Sequence, residues 1–587
     1  MKWNGTVRRS IRCCRSPLRL VDWLVFGLAL AYVVFYGMWR ARGRQSVKTF
    51  ILAGRHVPWY AVGLSVMATQ ASAVTFIATT GQAYVDGMRF VQFYFGLPIA
   101  MVILAYTAVP LFRRANVLTA YEFLERRFDG RVRGVVSGIF LLQRGLALSV
   151  TLYAPAVVLT VILGWPDWAT TVLIGGLAVL YTTKGGAKAI AWSDSQQMFV
   201  MTLGLAAACT SAIWLLPANV PLASALDIAS AANRLNAITT TLDWNDRYNL
   251  WSGLVGGAFL ALAYFGTDKS QVQRYLSGES VRDSHRGLFL NAVAKIPMQL
   301  AILFIGVLVY VFYVFQPAPL TFQRVDRALL ESPALREQYT PIEQRYSEAF
   351  AKRREAATRI AAQADQGDTA PAVTAFREAQ RDLDAARREA AALSAASGGS
   401  GASDTNYIFL TFVTEHLPAG VVGLVLAVVF GATMTAISAE MSALATVSIV
   451  DVYRRHIRPR STDHHYLFAS RLATAFWGLY AIIGAQFIKG IGSLVEAVNV
   501  LGSLFYGTML GVFVLAFFFA RVSARGALAG VVVGQAAILA CWKFTSLAFL
   551  WWNVIGCTVV VITAVIVSFV SPGPAPSKSH LDPVESE

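Results

Sequence analysis

Residues 65–75 read Ser-Val-Met-Ala-Thr-Gln-Ala-Ser-Ala-Val-Thr and lie inside a longer apolar stretch at 58–80. About 20 apolar residues are enough to cross a bilayer as a helix. Small and hydroxyl-bearing residues at mid-membrane allow two helices to pack closely. They also allow the helix to break, and a broken helix frees carbonyls that can replace the water shell of a cation. The run therefore predicts either a packing face or an ion site.

A second run of this kind lies far away in the sequence, at 431–442. Within it Ala432, Thr435, Ser438 and Ser442 recur at helical spacing and share one face of a helix. Hydroxyl oxygens are hard ligands, which suit hard cations such as Na⁺. Helix packing remains the alternative here too. Two such runs in distant parts of the chain favour an ion site.

The composition of the chain indicates a membrane protein. Of its 587 residues, 56% are hydrophobic and 14% are charged, whereas soluble domains have about 45–50% apolar and about 25% charged residues. Lipid must therefore be the solvent for much of the surface. The sequence contains about 13 apolar segments that are candidates to cross a membrane. In chain order these predicted segments 1 to 13 span 20–38, 58–80, 90–112, 134–163, 167–182, 194–216, 250–267, 288–315, 418–450, 467–488, 492–519, 524–545 and 548–571.

The basic residues orient these segments. Lys and Arg are concentrated in the connections after the odd-numbered segments, for example at 113–133 and 454–458. Because basic connections stay on the cytoplasmic side, we predict an inner or plasma membrane protein with its N-terminus outside and its C-terminus in the cytoplasm. The formal net charge of +16 lies largely in such loops, and we predict no nucleic-acid partner.

The first 19 residues conflict with this orientation, because they are basic and resemble the start of a signal peptide. The run that follows, 20–38, contains Asp22 and leads into no clear cleavage site. We therefore interpret 20–38 as an uncleaved first helix that follows a basic N-terminal extension. Residues 1–17 are either an unstructured extension or a wrongly assigned start.

One part of the chain, 317–417, is polar and is predicted to lie outside the membrane. Within it, 342–396 has the composition of two charged, Ala-rich helices, and Gly367–Pro371 supplies turn residues between them. The stretch 397–404 is a Gly/Ser linker. The predicted orientation places this helical hairpin on the outer face. It is either a solvated insertion or a docking surface for a partner.

Ionisable residues at membrane depth are functional candidates, because charge in lipid is costly. Asp194 begins segment 6 and is either an N-cap or an ion ligand. Arg144 lies in segment 4 and must pair with an acid, a carbonyl or an anionic substrate. Lys295 in segment 8 either reaches the cytoplasmic interface or faces the interior. In segment 11, Glu496 and Asn499 are expected to form structural hydrogen bonds.

Signals for catalysis are poor. The sequence contains no nucleotide-binding phosphate loop, no nucleophile elbow and no His/Cys metal cluster. Its five cysteines lack metal-ligand spacing. We therefore predict that the chain is not an enzyme and that ATP does not drive it directly.

Five short motifs in order resemble those of the sodium:solute symporter family. They are FILAGR at 50–55, LTAYEFLERRF at 118–128, GGAKAIAWSD at 185–194, GTDKSQVQRYL at 266–276 and TVSIVDVY at 446–453. The resemblance covers about 50–316 and 405–520. Each motif alone is weak, but five in the right order and the right connections are specific.

The resemblance implies an all-α membrane protein with a five-plus-five inverted-repeat core. Segments 2 and 7 would be the broken helices. The parts implied are a basic extension at 1–19, a peripheral helix and loop at 20–57, a first repeat at 58–216, a second repeat at 250–316 and 418–519, the insertion at 317–417, peripheral helices at 520–571 and a cytoplasmic tail at 572–587.

The family's main sodium site, carried over, uses the backbone carbonyls of Ala68, Ala71 and Ala432 and the hydroxyl of Thr435. A second hydroxyl is expected at the next position, where this sequence has Ala436. The resemblance therefore implies Na⁺ as the coupling ion, with one ligand fewer than usual.

Some family members have a second sodium site near the start of segment 6. Its acid matches Asp194 and one of its hydroxyls matches Ser438, but Ala439 lacks the other. Asp194 is therefore a candidate ligand for a second sodium ion or a candidate proton carrier.

The substrate residues depart from the sugar carriers of the family. Tyr94 stands where those carriers have an acid and Ala261 where they have an Asn, although Tyr264 matches their gate and Lys295 resembles a lysine they use. The run at 152–156 is more similar to the monocarboxylate, iodide and vitamin carriers. With Arg144 and Lys295 at similar depth, we predict an organic anion as substrate. The best candidates to line the pocket are Gln70, Thr75, Tyr264 and Phe265.

These observations together predict a sodium-coupled symporter that imports a small organic anion, such as a monocarboxylate or sugar acid, by alternating access. Its partners would be the solute, sodium ions and the bilayer. A proton-coupled or uncoupled carrier with Asp194 as proton carrier is the first alternative, and a sugar is the alternative substrate. A receptor on the same fold and a channel are less consistent with the sequence.

Overall fold

The computed structural model describes residues 18–40, 57–117, 119–163, 165–363, 369–399, 404–488 and 493–571. The regular structure of these residues is helical, and their extended pairing is limited to one bridge between Val57 and Gly278. The predicted extension at 1–17, the first family motif at 50–55 and the predicted tail at 572–587 lie outside the described residues.

Twenty-one α-helices make up the described part of the chain. They are α1 Leu20–Arg40, α2 Trp59–Gln70, α3 Ala73–Asp86, α4 Leu97–Tyr106, α5 Ala108–Arg114, α6 Ala120–Arg127, α7 Gly130–Leu163, α8 Asp167–Trp214, α9 Leu222–Ala231, α10 Gly257–Thr267, α11 Lys269–Leu276, α12 Val281–Phe315, α13 Arg324–Leu330, α14 Arg336–Gln363, α15 Ala370–Ala396, α16 Thr405–His416, α17 Val421–Val447, α18 Asp463–Ala485, α19 Leu494–Phe518, α20 Ala524–Phe544 and α21 Phe549–Val570. A 3₁₀ helix spans Gly87–Tyr94, and wider π turns span Ser252–Gly256 and Ser448–Ile457.

Ten helical stretches of the described residues are long and apolar enough to cross a membrane. They are Leu20–Trp39, Ala73–Arg114, Gly130–Thr160, Ala189–Trp214, Val281–Phe315, Val421–Ile457, Asp463–Ala485, Leu494–Phe518, Ala524–Phe544 and Phe549–Val570. The all-α membrane fold is confirmed. The predicted number of about 13 spanning segments is not confirmed, because several predicted segments are shorter, merged or interrupted in the structure.

Predicted segments 5 and 6 form one helix. The backbone of α8 is helical from Asp167 to Trp214, through the Gly- and Lys-containing stretch that the sequence analysis assigned to a connection. Alanines such as Ala189 and Ala191 have high helix propensity and keep the stretch helical. Asp194 therefore lies inside a helix, and its interpretation as an N-cap is wrong.

Predicted segment 3 is divided into three pieces. Gly87 adopts a φ of 73°, which begins the 3₁₀ helix after α3. Pro98 stands at the start of α4, and Thr107 separates α4 from α5. These interruptions bring Tyr94 to the level of the central helices.

Segment 7 is continued by a second, buried helix. Asp268 is extended (φ −79°, ψ 120°) and separates α10 from α11, and it caps α11 by accepting a hydrogen bond from the Ser270 backbone N–H at 2.8 Å. The sequence analysis placed 266–276 in a cytoplasmic connection. In the structure this stretch is buried, and two of its charged side chains have partners on other helices: Arg274 pairs with Asp194, and Asp268 pairs with Arg144.

The polar insertion contains the two long helices α14 and α15, which pack against each other. Their contact contains a small apolar core, which includes Ile342, Ala349 and Leu383, and Leu330 at the end of α13 packs against it. Of the predicted turn at 367–371, residues 367 and 368 lie outside the described residues, and Ala370 begins α15. Toward the far end of the hairpin, Ala357, Ile360 and Phe376 belong to the main hydrophobic core, so the insertion packs directly against the membrane helices.

A charged network joins α6, α7 and the π turn Ser448–Ile457. Arg133 pairs with Glu125 at 2.6 Å and with Asp451 at 2.6 Å, and Arg455 also pairs with Glu125. The pKa of the Glu125 carboxyl lies below its usual range, chiefly because Arg455 donates a hydrogen bond to it. The ionised carboxylate therefore stabilises the contact between these elements.

This network gives a pH-dependent prediction for Glu125→Gln. A carboxyl whose pKa is lower in the folded than in the unfolded state stabilises the fold above the unfolded pKa, and that stabilisation is lost as the pH falls. We expect acidification to lower the Tm of the purified wild type more than that of the variant. The corresponding loss in the free energy of unfolding is about 0.2–1 kcal/mol, because the ion pair is partly exposed. Identical pH profiles of Tm would show that the pair contributes nothing.

Candidate functional site

A central cavity of about 130 Å³ lies among α2, α3, the 3₁₀ helix, α4, α7, α10, α17 and α19. Its wall is formed by Thr69, Gln70, Ser72, Val74, Thr75, Phe93, Tyr94, Leu97, Arg144, Thr151, Gly257, Leu260, Ala261, Tyr264, Phe265, Ala436, Glu440, Val495, Val498, Asn499 and Tyr506. Six of the seven candidate substrate residues belong to this wall. Lys295 does not.

The helix of segment 2 is interrupted beside this cavity. Ala71 (φ −100°, ψ 71°) and Ser72 (φ −89°, ψ 178°) leave the helical conformation between α2 and α3. The Thr75 hydroxyl donates to the Gln70 carbonyl at 2.8 Å and so replaces one helical hydrogen bond. The hydroxyl-rich run thus contains the helix break and also supplies a side-chain hydrogen bond across it.

The residues predicted for the main sodium site are buried at this break and on α17. The side chains of Ala68, Ala71 and Ala432 are fully buried, and Thr435 is nearly so. The Thr435 hydroxyl donates to the Ala432 carbonyl at 2.9 Å. α17 packs against both α2 and α3. The two hydroxyl-rich runs therefore meet at the cavity, as the ion-site interpretation requires.

At the second predicted ion site, an arginine that the sequence analysis missed occupies the place of a cation beside Asp194. Asp194 accepts a hydrogen bond from the Ser65 hydroxyl at 2.5 Å and forms an ion pair with Arg274 of α11. Arg274 also donates to the Ser65 hydroxyl at 2.7 Å. The Ser438 hydroxyl is buried and has no hydrogen-bond partner among the described residues. A guanidinium therefore already neutralises Asp194 in this conformation.

Arg144 forms the centre of a buried ionic cluster. Its guanidinium pairs with Asp268 at the α10/α11 break and with Glu440 on α17 at 3.1 Å. It also donates to the Tyr506 hydroxyl at 3.0 Å and lies 5.4 Å from the centre of the Tyr264 ring. Structural pairing is therefore the correct one of the alternatives for Arg144, and its charge is not left free for an anion.

Sequence reasoning also missed Glu440 and Asp268. Both are acids at membrane depth, and the rule that marked Asp194 applies to them equally. Glu440 was noted only as part of the run at 431–442, and Asp268 only as part of a connection. The rule, applied to every acid near an apolar segment, would have found both.

Lys295 is a fully buried cation without a hydrogen-bond or salt-bridge partner among the described residues. The Nζ atom lies 5.3 Å from the centre of the Tyr94 ring, within range of a cation–π interaction. One helical turn away on either side, Asn291 and Gln299 are also buried, and each has a side-chain amide atom without a partner. The interpretation that Lys295 reaches the interface is wrong.

A multi-pass helical protein with interrupted helices around a buried polar cavity has the architecture of a membrane carrier. The family model for the sodium:solute symporter family matches residues 50–326 and 387–534. This chain therefore belongs to the sodium:solute symporter family. The match leaves out 327–386, which holds most of α14 and α15.

Similar proteins agree with this assignment. The chain is 26% identical to the sodium-dependent multivitamin transporter of Oryctolagus cuniculus over 90% of its own length and 70% of that protein. It is 24% identical to a sodium/sialic acid symporter of Aliivibrio fischeri over 91% of its own length and 90% of the relative. The relatives are transporters, so the prediction that the chain is not an enzyme is confirmed.

The fold is shared with a solved transporter. A Na⁺-coupled sialic acid symporter, in a substrate-bound outward-open state, superposes with a TM-score of 0.72 and 22% identity over 95% of this chain and 99% of the other. Membership of the family makes this chain a multi-pass membrane transporter that couples solute movement to Na⁺. The orientation of its termini remains a prediction.

Proposed function

We propose that the chain imports a small organic anion together with sodium, through the central cavity, by alternating access. The observation that carries the proposal is the meeting of two hydroxyl-rich runs at one cavity. The α2/α3 break contributes Thr69, Gln70 and Ser72 to the wall, and α17 contributes Ala436 and Glu440. An ion at this contact would touch both helices and the solute-filled space at once.

Sodium would be held by the main site. The carbonyls of Ala68, Ala71 and Ala432 and the hydroxyl of Thr435 are oxygen donors, which suit a hard cation. An ion that bridges α2 and α17 stabilises the state in which these helices are close and the cavity is ordered. This difference in affinity between states supplies the coupling free energy.

The second predicted ion site, Asp194 with Ser438, stays a prediction. Its support is an acid and a buried hydroxyl on two helices near the break. Against it stands the ion pair of Asp194 with Arg274, which a second cation would have to displace. One sodium ion for each solute is therefore the coupling that this conformation favours.

An anionic solute is supported by the charges around the cavity. Arg144 is neutralised by two acids. Lys295 lies beside the Tyr94 ring and has no hydrogen-bond partner among the described residues. A buried ammonium without a counter-ion is costly. A solute carboxylate that reaches Lys295 after the Tyr94 ring moves would remove this cost, which makes anions better substrates than neutral sugars.

Replacing Lys295 by methionine tests the substrate class. We expect sodium-driven uptake of the anionic solute to fall by about tenfold or more, because a charge-assisted hydrogen bond contributes about 1.5–3 kcal/mol. The Tm should change little, because the ammonium has no hydrogen-bond partner among the described residues and the contact that is lost is the one with the Tyr94 ring. Lys543→Met removes the same charge from an exposed position on α20 and serves as the control. Unchanged uptake in Lys295→Met would exclude Lys295 from solute binding.

The function itself is tested by uptake into proteoliposomes that contain the purified chain. Monocarboxylates, sugar acids, amino acids and neutral sugars are offered under an inward gradient of NaCl or of choline chloride. We expect uptake of one anionic class in sodium and none in choline. Uptake that is equal in choline and follows a proton gradient would support the proton-coupled alternative, with Asp194 as carrier. Preference for a neutral sugar would overturn the anion proposal.

A further inference from the structure

A second cavity, of about 320 Å³, lies between the insertion and the ends of the membrane helices. The insertion contributes side chains of α14 and α15, including Arg353, Arg387 and Arg388. The membrane core contributes Tyr84 at the end of α3 and Tyr310 on α12. Most of α14 and α15 falls within 327–386, which the family model does not match. We name this space the arginine cavity.

The wall of the arginine cavity is positively charged. It contains four arginines and two aspartates, which gives it a formal charge of +2. Among the described residues, Arg387 is the arginine of this wall that forms a salt bridge, with Asp404 at 3.0 Å. The remaining three have no carboxylate within salt-bridge distance in the described structure. The cavity therefore holds more cations than its own acids neutralise.

Arg353 is the most buried of these arginines, with 4% of its surface exposed. It donates to the Gln380 side-chain oxygen at 2.8 Å and to the Tyr313 carbonyl at 2.7 Å. Its Nε atom is buried without a partner. Neutral oxygens hold the guanidinium in place without cancelling its charge, and a buried charge that is not cancelled is costly.

Arg234, from the connection after α9, is held in the same way. It donates to the Val85 carbonyl, and its guanidinium lies 4.9 Å from the centre of the Tyr310 ring. Its Nε atom is also buried without a partner. Two guanidinium groups fixed by carbonyls and a ring, in a cavity lined by tyrosines, are preorganised for a planar anion. Arginine binds carboxylates through two parallel hydrogen bonds, and aromatic faces add stacking area.

We propose that the arginine cavity binds a small organic carboxylate at a site separate from the central cavity. This carboxylate is either the transported solute, bound beside the membrane core before transport, or a different anion. The site goes beyond the proposed function, because its wall combines the insertion with the ends of α3 and α12 and contains none of the residues proposed for sodium. It gives the insertion a role in ligand binding.

Benzoate is a suitable probe, because it combines a carboxylate with an aromatic ring, and benzamide is its neutral counterpart. Calorimetric titration of the purified full-length protein should give benzoate an affinity about tenfold or more above that of benzamide, as expected for a charge-assisted pair. Arg353→Gln should weaken benzoate binding about tenfold. Arg388→Gln, at an exposed position of α15, should weaken it about threefold without lowering the Tm, and Lys295→Met should leave it unchanged.

The outcomes separate this proposal from the proposed function. Equal affinity for benzoate and benzamide would overturn the proposal that the arginine cavity binds a carboxylate. Benzoate binding that is unchanged in both arginine variants would overturn it too. If binding is lost in Lys295→Met instead, the probe occupies the central site, and the proposed function survives alone. Binding that depends on Arg353 in a protein without sodium-driven uptake supports the arginine cavity while the proposed function fails. Displacement of benzoate from Lys295→Met by the transported solute identifies the solute as the ligand, and no displacement indicates a different anion.

Discussion

Arg144→Met should destabilise the protein more than any other single change that we consider. The substitution removes the guanidinium that neutralises Asp268 and Glu440, and it leaves two buried carboxylates without a counter-charge. Breaking a buried ion pair from one side costs about 3–5 kcal/mol. We expect little folded protein in detergent extracts, measured by size-exclusion chromatography, and a strongly lowered Tm in what remains.

Two further variants control this result. Arg345→Met breaks the pair with Glu389 on the insertion, where both side chains are about half exposed, and should cost no more than about 1 kcal/mol. The double variant Arg144→Met with Glu440→Gln removes one of the two stranded charges and should recover part of the lost Tm. A Tm for Arg144→Met that equals that of Arg345→Met would contradict the cluster.

Thr435→Ala should have the largest effect on sodium dependence. Ala436 already lacks the second hydroxyl, so Thr435 is the one side-chain ligand of the proposed main site. We expect the sodium concentration for half-maximal uptake to rise about tenfold, which corresponds to about 1.4 kcal/mol. Uptake as a function of sodium concentration in proteoliposomes measures this shift.

The same helix supplies matched controls for Thr435→Ala. Thr433→Ala removes a buried hydroxyl that bonds to the Val429 carbonyl at 2.8 Å and should leave the sodium dependence unchanged. Thr435→Ser keeps the ligand and should behave like the wild type. Ala436→Ser restores the missing hydroxyl and should lower the half-saturating concentration. If Thr433→Ala and Thr435→Ala shift the half-saturating sodium concentration equally, the hydroxyl face of α17 serves helix packing and not sodium binding.

The sequence predicted the features that depend on local composition. Small and hydroxyl residues at 65–75 marked the α2/α3 break, because a polar run in lipid needs a structural reason. The same argument marked the hydroxyl face of α17. Charged, Ala-rich stretches flanking Gly and Pro predicted the two helices of the insertion. In each case the signal lies within one or two helical turns.

The features that sequence reasoning missed depend on distant partners. Asp194 meets Arg274 across 80 positions, and Arg144 meets Glu440 across 296. No local pattern reports such pairs, so the sequence placed Arg274 in a cytoplasmic connection and left Asp194 as either an N-cap or an ion ligand. The arginine cavity was missed for the same reason, because its wall combines the insertion with the ends of α3 and α12.

The central claim is that solute and sodium move together through the site formed by α2, α3 and α17. Simultaneous measurement of ²²Na⁺ and radiolabelled solute entering proteoliposomes, for the wild type and Thr435→Ala, tests it most directly. We predict that solute addition stimulates sodium entry in a fixed ratio, and that the ratio is kept while the sodium requirement rises in the variant. Solute entry that brings no sodium with it, and that is the same in Thr435→Ala, would contradict the account.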